Sequence, residues 1–235
     1  SSGSILSAST SSGNSVCGDA SNDVIIKSGN TVTWDGTSGP LTGTIKVETG
    51  GILQITGAGG TISGEIELNG GTLDIDDDIT ISSEISHTAN STINVASGKT
   101  LTYTGDSLNI GPYTLTLSGA GNINNSADVI NLNDPSAVLN VTGTGTILGG
   151  VQLSGGTLDI DESMTISGPI THITSSSVNI ASGKTLLYNN ATDIQLGAYT
   201  LTVVGAGTLN NTANIALNNN SSKLLISGTN TISGN

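Results

Sequence analysis

Gly70-Gly71-Thr72-Leu73-Asp74-Ile75-Asp76 is written a second time as Gly155-Gly156-Thr157-Leu158-Asp159-Ile160-Asp161, 85 residues further on. Ala96-Ser97-Gly98-Lys99-Thr100-Leu101 returns as Ala181-Ser182-Gly183-Lys184-Thr185-Leu186 at the same shift. Tyr113-Thr114-Leu115-Thr116 returns as Tyr199-Thr200-Leu201-Thr202 at a shift of 86. Close repetition over most of a chain signals a stacked, repeat-built fold.

A shorter period runs inside the block. Apolar pairs with i, i+2 spacing recur as Val32/Trp34, Leu53/Ile55, Leu73/Ile75, Ile93/Val95, Leu115/Leu117, Leu139/Val141, Leu158/Ile160, Val178/Ile180, Leu201/Val203 and Leu224/Ile226. Their steps run from 19 to 24 residues. A second series, represented by Ile79/Ile81, Leu101/Tyr103 and Leu186/Tyr188, falls between them. A third, represented by Ile45/Val47, Ile66/Leu68 and Ile215/Leu217, completes each turn. The i, i+2 spacing puts both side chains of a pair on one face of a strand. Three pairs per turn predict an all-β, three-sided parallel β-helix of about ten coils, right-handed, with the 85-residue block spanning four of them. Such a stack would be roughly 45 Å long at one strand spacing per layer. Residues 1–23, rich in Ser, Gly and Asn, read as an irregular lead-in or cap, and 24–235 as one solenoid domain.

Composition agrees. The 235 residues include 33 Gly, no Phe, one Met and one Trp, a mix that favours strands and tight turns over helices. Pro40, Pro112, Pro135 and Pro169 all fall between apolar pairs, where a missing N–H breaks no ladder. Five Lys, no Arg and eighteen acids give a net charge of −13. Phosphate backbones need clustered cations, so nucleic acid is excluded as a partner, and anionic lipid is disfavoured. No apolar run approaches the length of a membrane span. The opening SSGSILSAST, without an initiating Met, fits either a mature secreted product or a piece cut from a longer chain, and the expected location is outside the cell or on its surface. Cys17 has no partner for a disulfide and reads as an incidental thiol.

The runs Asn94-Val95-Ala96-Ser97-Gly98-Lys99-Thr100-Leu101, Ser118-Gly119-Ala120-Gly121 and Gly70-Gly71-Thr72-Leu73 resemble those of bacterial secreted β-helix proteins. These include the passenger and haemagglutinin-like repeats of surface adhesins, within the pectate-lyase-like superfamily. The resemblance covers roughly residues 30–235 and implies the fold more than any activity.

Asp74, Asp76, Asp77 and Asp78 form the densest acidic cluster and are the candidate calcium ligands, no other cofactor being expected. Polysaccharide-cleaving β-helices, which the fold resembles, carry carboxylates on an outer face. Here the neighbouring coils offer Gln54 and Asn94, and no Lys or Arg is expected beside the cluster. His87 and His172 hold the same repeat position and read as structural or exposed copies. No GxSxG, HExxH, CxxC or P-loop is present. The outward column of the first strand series reads Thr33, Gln54, Asp74, Asn94, Thr116, Asn140, Asp159, Asn179, Thr202, Leu225. Trp34, Tyr103 and Tyr188 are phased inward, which disfavours a sugar-stacking groove. A flat Thr-x-Thr array, as ice binding would need, occurs only locally at Thr114/Thr116 and Thr200/Thr202, with coils between that break the row, which disfavours ice binding. Seven N-x-S/T sequons, including Asn90, Asn140 and Asn190, occur at about the frequency chance gives.

The sequence stops in mid-repeat at Thr231-Ile232-Ser233-Gly234-Asn235 without an amphipathic cap. An open β-helix end exposes unpaired backbone groups and apolar interior. The expectation is therefore a non-enzymatic structural or adhesive rod that stacks end to end with copies of itself. The contact residues would be Val24, Ile26, Val32 and Trp34 at one end and Leu224, Leu225, Ile226 and Ile232 at the other. The alternatives are a carbohydrate-binding or polysaccharide-active β-helix with calcium, meeting a cell-surface glycan, and a fragment of a larger adhesin.

Overall fold

The computed structural model describes residues 23–36 and 41–234. Residues 1–22 of the predicted lead-in, Cys17 among them, and Pro40 lie outside them. The chain coils as a parallel β-solenoid of about ten turns. Every pairing between strands is parallel, apart from one isolated antiparallel bridge between Glu48 and Gly70. The described residues contain no helix.

Side one is a ten-stranded sheet running in chain order from Thr31–Trp34 to Lys223–Ile226. Side two is a nine-stranded sheet from Thr61–Ile62 to Thr231–Gly234. Both follow the first and second apolar series. Alternation decides which side chains enter the core: Leu73 and Ile75 are fully buried while Asp74 between them is partly exposed. Stacked Ile, Leu and Val fill the triangular interior from Val24 to Leu209. Each such side chain contributes about 1.5–3 kcal/mol by leaving water.

Side three is interrupted. Its strands form one sheet from Val24–Ile26 to Ile85–Ala89, a second from Leu108–Asn109 to Ile170–His172, and a short third of Ile194–Gln195 with Ile215–Ala216. The two breaks fall at equivalent points of the two blocks. Each is closed by a tyrosine. At the first, the Ile85 N–H donates to Tyr103 Oη at 3.2 Å, and at the second the Ile170 N–H donates to Tyr188 Oη at 3.4 Å. The phenol oxygen replaces the carbonyl that a next strand would have supplied, which a buried N–H requires. Burial pushes both phenols above their ordinary pKa and keeps them protonated. Tyr188 uses its proton on Thr192 O, 2.7 Å away.

Two pairings differ from the sequence reading. Ile93 pairs with Leu117 and not Leu115, and Val178 pairs with Val203 and not Leu201. Ser91 and Ser176 take the vacated inward places, beside Leu115 and Leu201. Each is buried, and each hydroxyl is used twice. Ser91 Oγ accepts from Gly70 N at 3.0 Å and donates to Ala89 O at 2.9 Å, while Ser176 Oγ accepts from Gly155 N at 2.9 Å and donates to Thr174 O at 3.0 Å. The slip is of two residues, so it preserves the inward and outward faces.

It also ends a core column, since Val95 now pairs with Gly119 and Ile180 with Gly205. Gly119 has φ +83°, and a Cβ there would lie 2.0 Å from Val95 O, so only glycine fits. The single outward column is therefore split. Thr33–Gln54–Asp74–Asn94 continues to Ser118, while Thr116–Asn140–Asp159–Asn179 rises from Thr92. Leu217, read as inward, is 56% exposed because no described strand packs over it.

Candidate functional site

The four aspartates sit where the sequence places them, Asp74 outward on side one and Asp76, Asp77 and Asp78 in the corner that follows. They do not converge. Asp74 Oδ1 accepts from Asn94 Nδ2 at 2.7 Å, and Asp76 Oδ2 accepts from Gln54 Nε2 at 2.8 Å. Asp78 Oδ1 accepts from the Thr100 N–H at 2.8 Å. Asp77 Oδ1 accepts from Lys99 Nζ at 2.6 Å and from the Asp78 N–H at 2.9 Å. The expectation that no cation stands beside the cluster is thus corrected. Lys99 lies 22 residues away in sequence but one coil away in space. The Lys99 hydrogen bond, followed by that of the Asp78 backbone, holds the Asp77 carboxyl below its ordinary pKa, and Asp77 in turn raises that of Lys99.

The second block repeats the plan with altered parts. Asn179 Nδ2 donates to Asp159 Oδ1 at 2.7 Å, and Lys184 Nζ meets Glu162 Oε2 at 2.6 Å. Lys46 and Glu67 make a third such pair on side three, also at 2.6 Å. All three link one coil to the next. No group of three or more His, Cys, Asp or Glu side chains able to hold a metal forms among the described residues. Two candidate calcium oxygens, on Asp77 and Asp78, would have to exchange partners that the fold already supplies.

His87 and His172 are structural in placement, 8% and 6% exposed, in line with Leu68 and Leu153 of the preceding coil. Each ring meets a tyrosine edge-on, Tyr113 at 5.8 Å and Tyr199 at 6.1 Å between centroids. His172 Nδ1 lies 3.2 Å from Leu196 O, but neither nitrogen of His87 has a partner in hydrogen-bond geometry. Burial pushes the His87 pKa down to about 4, and the Thr114 backbone opposes this only in part. His172 is lowered for the same first reason. Uncharged imidazoles held among aliphatic side chains are packing elements here.

Trp34, Tyr103 and Tyr188 are 1%, 3% and 0% exposed, so none of them offers a ring to a sugar. The expected contact residues at the two ends differ from each other. Val24, Ile26, Val32 and Trp34 are buried within the chain. Leu225 and Ile226 are 54% and 48% exposed, and Leu224 and Ile232 are partly open. The sequence reading also passed over the outward side of side two, whose signal is the Thr-x-Thr and lone Thr positions of the second apolar series.

No protein-family profile, curated protein or solved structure matches this chain.

Proposed function

We propose that the chain is a non-enzymatic structural and adhesive segment of an extracellular or cell-surface rod. It would be of the kind its repeats resemble: the passenger and haemagglutinin-like β-helices of bacterial adhesins, within the pectate-lyase-like superfamily. The observation that carries this reading is where the polar side chains spend their bonds. Lys46–Glu67, Asp77–Lys99 and Glu162–Lys184 each tie neighbouring coils, as do Gln54–Asp76, Asn94–Asp74 and Asn179–Asp159. Carboxylates used this way stiffen the stack and are not gathered toward a substrate.

End-to-end association belongs to the same proposal. The partly open layer of Leu224, Ile226 and Ile232 is the surface that a coil from a second copy would cover. Because Val24, Ile26, Val32 and Trp34 are covered, a second copy would have to displace what covers them before stacking head to tail. Negative-stain electron microscopy and sedimentation velocity over a wide concentration range test the proposal. Stiff rods, single or joined end to end, are the expected result, and Leu224→Asp with Ile226→Asp should abolish any joining. Flexible or collapsed particles would overturn it.

A further inference from the structure

The outward side of the nine-stranded sheet is unlike the rest of the surface. No Asp, Glu, Lys, Arg or His lies in any of its strands, in a chain of net charge −13. Nine threonines project from it, and they stack across coils: Thr61 pairs with Thr80, Thr80 with Thr102, Thr146 with Thr165, and Thr185 with Thr208. None of the nine hydroxyls is used in a hydrogen bond among the described residues. Side one spends part of its capacity on itself, Thr33 donating to Gln54, Asn94 to Asp74, Ser118 to Asn94 and Asn179 to Asp159. Its other threonine hydroxyls are likewise unbonded among the described residues, but its strands carry Asp74, Asp159 and Lys223. What sets side two apart is that its unspent hydroxyls stand on strands that carry no charge.

The unspent groups recur from coil to coil in short columns, Thr61–Thr80–Thr102, Thr146–Thr165 and Thr185–Thr208–Thr231, and along a strand only at Thr100/Thr102. A parallel sheet repeats about every 4.8 Å from coil to coil, and alternate residues along a strand lie about 6.6 Å apart. Threonine is β-branched and restricted at χ1, so each hydroxyl and methyl stays near one position and little order remains to be lost on binding. The nearest charges stand at the corner before the strands: Asp77–Lys99 and Glu162–Lys184 are paired, while the Asp78 carboxylate, which accepts from the Thr100 N–H, edges the face beside Thr80 and Thr100. Rigid columns of hydroxyl and methyl groups on uncharged strands are complementary to a solid whose surface is itself a neutral hydrogen-bonding net. The coil-to-coil repeat is close to an oxygen spacing of hexagonal ice. A crystalline glycan is the competing neutral solid, but it calls for exposed rings, and the two tyrosines of these strands, Tyr103 and Tyr188, point into the core.

We propose that the threonine face of the nine-stranded sheet binds ice. Asn122, Asn124 and Leu187 interrupt the columns without adding charge, leaving one patch around Thr80 and Thr102 and another from Thr146 to Thr231. The inference rests on the adhesive reading and names what one side of the rod adheres to.

The test uses the full chain, partitioned between slowly growing ice and the remaining liquid. Wild type should be enriched in ice over a protein that ice excludes, and it should slow ice recrystallisation. Thr80→Lys with Thr165→Lys should lose the enrichment, while Thr116→Lys on side one should keep it, both variants retaining the far-ultraviolet dichroism of the wild type. Exclusion of the folded wild type from ice, or equal uptake of the double variant, would overturn the inference. Retention on crystalline cellulose or chitin without uptake into ice would overturn it too, and would reassign the face to a neutral glycan. A stiff rod that ignores ice leaves the structural reading standing.

Discussion

Acidification should destabilise this fold through His87 before it does so through the surface carboxylates. His87 is 8% exposed, points into the core in line with Leu68, and has no hydrogen-bond partner. Its folded pKa of about 4 lies below the ordinary 6.5 because burial penalises the imidazolium. Between those values the unfolded chain binds a proton that the folded chain refuses, so stability falls as pH falls through the window. A gap of this size costs about 2–3 kcal/mol by pH 4.5. Asp77, whose pKa is lowered, keeps its contribution until pH drops through its ordinary value of 3.8, below most of the window. Two measurements isolate the histidine. Nuclear magnetic resonance of the imidazole protons reads the folded pKa directly, and urea unfolding of His87→Leu beside wild type reads the linkage. The variant replaces two unpaired nitrogens with a side chain suited to the column, so it should match or exceed wild-type stability at pH 7.5. Its advantage should then grow by about 2–3 kcal/mol at pH 4.5. A folded-state pKa near 6.5, or an advantage that does not change with pH, would refute the reasoning.

Tyr103→Phe should cost about 1–3 kcal/mol, because it leaves the buried Ile85 N–H without an acceptor. Amide exchange at Ile85 should quicken more than at its neighbours, and unchanged exchange would mean the phenol is not closing the break. Ser91→Ala should lose about 1–2 kcal/mol in urea unfolding, because Gly70 N loses its acceptor at a closely packed position. Gly119→Ala should be worse than Gly98→Ala in the same assay: both have positive φ, but only at Gly119 would the new Cβ strike backbone, whereas nothing lies within 4 Å of it at Gly98. Equal losses would show that strain alone, and not the approach of Val95 O, sets the penalty.

Much of the architecture was legible because a two-residue period writes burial directly into sequence. Leu73/Ile75, Leu101/Tyr103 and Ile66/Leu68 fall on three separate sheets as their phases require. That period also hid the pairing of Ile93 with Leu117, since a slip of two residues leaves every side chain on the same face. Ser91 and Gly119 mark the slip, and in a chain rich in serine and glycine neither draws notice. The Lys99–Asp77 pair was hidden for another reason: neighbours in a solenoid are one coil apart, so proximity along the chain misleads. The threonine face was missed because the outward positions were read along the first apolar series, while the charge-free strands follow the second.

The two-residue slip has a consequence for growth by duplication. Following the pairing upward from Leu73 leads through Ile93, Leu117 and Val141 to Ile160, whereas the duplicate of Leu73 is Leu158. Each added block therefore lengthens the rod by about 19 Å and carries its own pattern sideways by about 6.6 Å. Identical blocks do not sit squarely above one another; the edges of the prism precess, like the thread of a coarse screw. New core columns open at Ser91 and Ser176 as old ones close on Gly119 and Gly205, so a gene could repeat the block many times with no change to its turns. Any surface such a rod grips would be met along an oblique line.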